Sequence, residues 1–272
     1  MGDFLSAAAS ADSVLGIGGI DCKMSVVISV SSVELTYPIY SMRANSLRNT
    51  IANLAIGGKL LRDGRDVIHV RALHGVNFKL NDGDRLGVIG HNGAGKTTLL
   101  KVLAGVYEPD RGLVEVQGQI SSMIDIGLGL DAALTGRENI INMGRMRGYS
   151  TRVIQGKIPE ITNFSDLGNF IDLPVKAYSA GMQARLVFAV ATSLEPDVLL
   201  LDEWIGAGDV SFHEKAVARM NDILTKSRVM VLATHNFGLI TSVCNRLLVL
   251  DGGSQVYFGD VSGWNFETRS PV

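Results

Sequence analysis

Apolar positions along this chain follow two rhythms. Near-continuous apolar runs occur in "DRLGVIG" (84–90), "DVLLLD" (197–202), "RVMVLAT" (228–234) and "RLLVLD" (246–251). Runs of this kind are read as strands of a sheet covered on both faces. Between them the spacing changes. In "ARLVFAV", Leu186, Val187, Ala189 and Val190 recur at helical intervals, which predicts an amphipathic helix facing a core. The residues just before it, Tyr178-Ser179-Ala180-Gly181, read as helix punctuation: Ser179 can cap, and Gly181 lets a backbone approach closely. This alternation predicts an α/β fold with a mostly parallel core sheet. Antiparallel-looking strands near 25–37 and 67–80 precede that core, and a hairpin near 247–258 closes it. No internal repeat is found. Residues 38–66, helical in pattern and rich in Arg, Leu and Asn, read as an insertion between the two early strands.

Composition then narrows the function classes. A chain of 272 residues, 46% of them hydrophobic, is long enough to bury a substantial core. Lys and Arg number 25 against 27 Asp and Glu, a net charge of −2, so no basic excess argues for nucleic acid and no polybasic run for direct membrane attachment. Cys22 and Cys244 form neither metal-ligand spacing nor a disulfide framework, which fits a reducing compartment. At the N-terminus, Asp3 stands where a secretory signal needs positive charge and Asp12 interrupts the apolar run, so residues 1–23 read as a flexible tail or a misassigned start. No window reaches the roughly 18 uninterrupted apolar residues of a membrane-spanning helix. A membrane role therefore requires a partner to hold the chain there.

The strongest chemical signal is "GHNGAGKTT", that is Gly90, His91, Asn92, Gly93, Ala94, Gly95, Lys96, Thr97 and Thr98. It satisfies G-x-x-x-x-G-K-[ST] and lies between an apolar strand and the helical pattern "TLLKVLAG", the context this phosphate loop requires. Glycines let backbone N–H groups converge on phosphate oxygens while the helix N-terminus adds its positive end. Lys96 then reaches the β- and γ-phosphates of ATP, and the Thr97 hydroxyl ligates Mg²⁺. Over a hundred residues later, "VLLLDEW" brings Asp202 and Glu203 to a strand's C-terminal end, where open α/β sheets place ligands. Asp202 suits the Mg²⁺ shell and Glu203 the activation of an attacking water. Taken alone, the pair reads equally well as a helix cap followed by a first-turn acid.

The order phosphate loop, "AYSAGMQ", then "ARLVFAVATSLEPDVLLLDE" resembles the ATP-binding cassette (ABC) family over about residues 25–260. The resemblance implies a phosphate-loop NTPase fold of ABC type over 24–260. Such a domain has an antiparallel β subdomain and a helical subdomain, at about 125–195, that carries the signature. Ser179 and Gly181 fall where the family's signature has its serine and glycine, in a variant form. The family then implies two copies facing head to tail, each signature contacting the γ-phosphate held by the other copy. Tyr37 matches an aromatic residue placed against adenine, "GAGD" (206–209) a loop passing between cassettes, and His235 a γ-phosphate histidine. Where many cassettes carry a glutamine reaching toward Mg²⁺ and water, this chain has Asp131 at or near the position.

"IGLGLDAALTGRENI", "YSAGMQARL", "DEWIGAGD" and the stretch "PIYSMRANSLRN" are similar to the subgroup that exports bacterial surface polysaccharides, such as O-antigen, capsule or teichoic acid. That likeness implies an ATPase at the cytoplasmic face of the inner membrane, bound to an integral-membrane permease and driving export of a lipid-linked polysaccharide, with no nucleic acid involved. Three alternatives stay open: the ATPase of another exporter, an ATP-binding clamp with little turnover, and a soluble cassette of DNA repair or translation. The last requires a coiled-coil insertion or second cassette that is not seen. After the hairpin "LLVLDGGSQVYFGD", residues 261–272 are too short for the glycan-gripping β-sandwich of some relatives, which needs on the order of 100 residues. Glycan selection is then expected to lie elsewhere, with Trp264 and Phe266 docked against their own domain or a partner.

Overall fold

In the computed structural model, which describes residues 25–39, 59–62, 68–124, 126–203 and 210–271, the chain enters on antiparallel strands. These are β1 (Val26–Ile39), β2 (Lys59–Arg62) and β3 (Ile68–Asn81). β4 (Arg85–Ile89) then runs into helix α1 (Lys96–Leu103), followed by β5 (Arg111–Val116) and β6 (Ile120–Ser122). Three helices come next: α2 (Gly136–Met146), α3 (Thr151–Phe164) and α4 (Ala180–Ser193). The core resumes with β7 (Val198–Asp202), α5 (Val210–Lys226), β8 (Val229–Ala233) and α6 (Phe237–Val243). The hairpin of β9 (Arg246–Asp251) and β10 (Ser254–Asp260) follows, and β11 (Trp264–Asn265) pairs antiparallel with β12 (Ser270–Pro271).

The main sheet runs β5-β1-β3-β10-β9-β4-β8-β7-β6, with β2 added on β3. Its β9-β4-β8-β7-β6 half is entirely parallel, while β1, β2, β3 and β5 pair antiparallel. The parallel strands are buried almost end to end because successive residues feed different layers. Val198, Leu200, Val229 and Val231 pack with Leu99 and Leu103 of α1. Leu199, Leu201, Met230 and Leu232 pack with Phe188 of α4 and Phe212 and Met220 of α5. A buried leucine contributes about 1.5–3 kcal/mol, so neither layer is dispensable.

The helices α2, α3 and α4 share a separate core of Ile140, Met143, Ile154, Ile161, Leu186 and Val190. "LTGREN" starts this unit. Thr135 Oγ1 accepts from Glu138 N–H while Glu138 Oε2 accepts from Thr135 N–H at 2.8 Å, a reciprocal cap that fixes the start of α2. Asn139, fully buried, donates to the carbonyls of Asp131, Leu134 and Thr135 and thereby ties the preceding loop to the helix. Helix α4 is apolar on two sides: Leu186, Val187, Ala189 and Val190 face this unit, and Phe188 and Ala191 face the sheet.

Residues 1–23, most of the stretch 38–66 and the "GAGD" loop lie outside the described residues. One difference within 38–66 is visible. Where the sequence reads as helical, Lys59–Arg62 forms a strand with Leu60 opposite Val70 of β3, since the available edge of β3 offers backbone partners that overrule a local pattern.

Candidate functional site

The register of the parallel strands brings distant residues together. Val88 pairs with Ala233, and Ala233 with Asp202, so the C-terminal ends of β4, β8 and β7 lie in one row. Adjacent strands are about 4.8 Å apart, which puts groups leaving these three ends within reach of one small ligand. β4 delivers the phosphate loop, β7 delivers Asp202 and Glu203, and β8 delivers Thr234 and His235. The loop is threaded tightly. A Cβ on Gly90 would stand 2.3 Å from the Leu250 carbonyl oxygen, and Gly95 has φ +103° with its added Cβ 2.6 Å from the Ala72 oxygen. Gly95 is also the N-cap of α1 and supplies no side chain to it, so no side chain caps the helix's first N–H groups. Those donors and the positive end of the helix face the cleft.

Lys96, only 8% exposed, donates to the carbonyl oxygens of Gly90 at 2.8 Å and His91 at 3.1 Å, which folds the cation over the loop. Burial lowers its pKa, and the Asp202 and Glu203 carboxylates offset part of that effect. Thr97 Oγ1 donates to Asp202 Oδ2 at 2.7 Å. A hydroxyl and a carboxylate form an all-oxygen pair suited to a hard cation that keeps waters and takes its other ligands from substrate phosphates, the habit of Mg²⁺. Among the described residues no cluster of three or more His, Cys, Asp or Glu offers an alternative metal cage.

Glu203 is held in an unfavourable backbone conformation, φ +66°, where a side chain is sterically costly. Two bonds keep it there. Its N–H donates to the Ala233 oxygen at 2.7 Å, and its Oε2 accepts from Thr234 Oγ1 at 3.1 Å. His235 Nε2 lies 3.9 Å from Glu203 Oε1, and both side chains are about half exposed. Tyr37 OH donates to Thr98 Oγ1 at 3.0 Å, and its ring meets the edge of Tyr107 at 5.4 Å. Burial raises its pKa. Tyr37, Lys96, Thr97, Asp202, Glu203 and His235 line one cleft of about 470 Å³, with Val70, Ala72, Asn92 and Gly93 also in its wall.

Other residues singled out in the sequence stand elsewhere. The His91 ring is spent on the Asn92 oxygen at 2.7 Å and Asp251 Oδ1 at 3.0 Å, tying the loop to the end of β9. Asp131 does not line the cleft: its carboxylate accepts from Ala133 N–H at 2.8 Å, closing a turn ahead of α2. Ser179 caps α4 by accepting from Met182 N–H at 3.2 Å, and it and Gly181 are exposed outside the cleft. Sequence reasoning missed Thr234, the hydroxyl on Glu203, and the cleft walls Val70 and Ala72. A lone threonine between an apolar strand and a histidine was the only local signal.

Fold and site together define a phosphate-loop nucleoside triphosphatase. The sequence pattern of the family described as "ABC transporter" matches residues 73–206. The O-antigen export system ATP-binding protein RfbE of Yersinia enterocolitica is 44% identical over 222 residues, 82% of this chain and 93% of that protein. The chain belongs to the ABC family. The O-antigen export system ATP-binding protein RfbB of Klebsiella pneumoniae is 34% identical, covering 84% of this chain and 91% of its own. A teichoic acids export ATP-binding protein, TagH of Bacillus cereus, is 34% identical over 88% of this chain but 42% of its own length. Among solved structures, a dimeric post-hydrolysis ATP-binding cassette bound to ADP and Pi shares the fold with TM-score 0.61 at 18% identity, over 87% of this chain and all of that one.

Proposed function

We propose that this chain is the ATP-hydrolysing subunit of a bacterial exporter of lipid-linked surface polysaccharide, working as a head-to-tail pair on the cytoplasmic face of a membrane permease. The observation that carries the reading is the level row of strand ends, which gathers the phosphate loop, Asp202, Glu203 and His235 around one cleft. The functions in the relatives' names, O-antigen and teichoic acid export, support the transport role. No helix among the described residues is long and apolar enough to cross a membrane, so a permease partner supplies the path.

In the proposed reaction, Tyr37 lies against the base of ATP while Lys96 and the α1 N-terminus bind the phosphates. Thr97 and Asp202 would hold a Mg²⁺ ion, which would supply charge neutralisation at the phosphates. Glu203 takes a proton from the attacking water as its oxygen bonds to the γ-phosphorus, and the bond to the β-phosphate oxygen breaks to release ADP. His235 donates an N–H to the γ-phosphate. Ser179 and Gly181 complete the opposite copy's site. Among the described residues a Cβ on Gly181 would meet nothing nearer than Ser179 Oγ at 3.9 Å, so no packing seen there calls for a glycine. Glycine within a helix costs about 1 kcal/mol relative to alanine, and close approach by a second copy accounts for that cost.

Two measurements test this. ATPase activity of the purified chain should rise more steeply than linearly with protein concentration; strict proportionality down to monomeric concentrations would sink the paired site. In cells, deleting the gene should remove surface polysaccharide, and the wild-type chain, but not Lys96→Ala, should restore it. Normal surface glycan in the deletion strain would refute the export role.

A further inference from the structure

The β11–β12 hairpin lies beyond the cassette's closing strands and plays no part in the chemistry above. Yet its Trp264, Phe266 and Arg269 line, with Thr234, His235 and Phe237, a cavity of about 440 Å³ beside the site. Trp264, 5% exposed, packs at a tilt on Tyr257 with ring centroids 5.2 Å apart and joins Ile89, Ile240, Leu247 and Val249 in a small core. The turn between its strands is shaped by Asn265, whose Oδ1 accepts from the N–H groups of Glu267 and Thr268 at 2.9 and 3.0 Å. From this anchored frame Phe266 reaches Phe237, with ring centroids 5.3 Å apart. Phe237 is the first residue of α6, two positions after His235.

Helix α6 needs such support. It has seven residues, too few to be stable without packing, and is anchored by Ile240, fully buried, and by Leu239 and Val243, partly buried against the Phe212 cluster. Ahead of these apolar anchors, its start is held by two further devices. One is polar: Asn236 Oδ1 caps Leu239 N–H at 3.0 Å, and Asn236 N–H donates at 3.2 Å to the same Thr234 Oγ1 that bonds Glu203. The other is the Phe237–Phe266 contact, without which Phe237, already 40% exposed, loses its aromatic partner. Among the described residues the His235 side chain makes no hydrogen bond, its Nε2 standing 3.9 Å from Glu203 Oε1, beyond hydrogen-bond reach. Its position is therefore set by the backbone between Thr234 and Phe237.

We propose that Phe266 is a positioning residue for His235: the hairpin clamps the start of α6 through Phe237 and so fixes where the histidine stands. This rests on the ATPase reading above. The effect falls on the transition state, because Lys96 and Thr97, which hold ATP, line the nucleotide cleft and no hairpin residue does, while the hairpin meets only the start of the loop, sharing a neighbouring cavity with Gly90 and His91.

The test is steady-state ATPase kinetics on the full chain, with nucleotide affinity from a fluorescent ATP analogue and thermal melting on the same samples. Phe266→Ala should lower kcat about threefold to tenfold, the range an aromatic pair supports, while KM and nucleotide affinity stay at wild-type values. Phe266→Tyr, which keeps the ring, should restore kcat. If Phe266→Ala fails to fold, Phe266→Leu makes the same comparison, keeping apolar bulk without a ring. Wild-type kcat in the alanine or leucine variant, a fall in kcat and nucleotide affinity together, or no rescue by tyrosine would overturn the positioning role. Absence of turnover in the unaltered chain would instead strike the ATPase reading itself.

Discussion

Replacing Glu203 with glutamine removes its charge and keeps its shape. The amide oxygen can still accept from Thr234 Oγ1, and the backbone N–H can still donate to Ala233. Only the proton acceptor is lost. General-base catalysis contributes roughly 10²–10⁴-fold, so kcat should fall by that factor, about 3–5 kcal/mol of barrier, with ATP affinity retained because the Lys96 and Thr97 contacts remain. A second pair of variants reads the backbone. Glu203→Ala and Glu203→Gly both lack the carboxylate and its bond to Thr234, so they differ only in what φ +66° demands. A side chain in the left-handed region costs about 1–2 kcal/mol, and glycine's extra freedom in the unfolded chain takes back about 0.4–1 kcal/mol. Glycine should therefore be the more stable variant, by about 0.8 kcal/mol at the middle of these ranges and at most about 1.6, a Tm higher by roughly 2–3 °C at the midpoint for a chain of this size. At an ordinary helix or strand position the order is reversed. Thermal melts decide the strain and a phosphate-release assay the chemistry. An alanine variant as stable as the glycine one would refute the strain, and wild-type turnover in Glu203→Gln would refute the base.

Lys96→Ala should weaken ATP binding by about 10- to 100-fold, the loss of charge-assisted phosphate contacts; unchanged affinity in equilibrium titration would contradict the assignment. At the opposite end of the sheet, hydrogen bonds from Arg228 and then Ser25 hold the Asp82 carboxyl down at about 2. A folded pKa below the unfolded value gives stability that is present above pH ~4 and lost as pH falls toward ~2. The pair is exposed, so solvent screening leaves only a small part of that shift as stability. Urea unfolding should show Asp82→Asn less stable than wild type at neutral pH, with the gap closing between pH ~4 and ~2. A gap that persists at pH 2 would assign the difference to something other than this ion pair.

What the sequence determined by itself was local. Glycines at 90, 93 and 95 between an apolar strand and a helix specify a phosphate loop, because backbone conformation and close approach are properties of a few adjacent residues. The apolar runs ending in Asp202 and His235 likewise declare buried strands whose tips carry polar chemistry, and the order of the motifs carried the family. What only the tertiary structure decided depends on pairing between distant segments. The level register of Val88, Ala233 and Asp202 turns three strand ends into one cleft, and nothing in any one strand encodes that alignment. The same holds for individual side chains. His91 lies within the motif yet is committed to Asp251, 160 residues away, and Asp131 is committed to a turn beside Ala133. Thr234 gains its place by facing Glu203, and Phe266 by reaching Phe237 from the last strands of the chain. A residue's chemistry is written in its type, but its partner is selected by packing and strand register, which the whole chain settles at once.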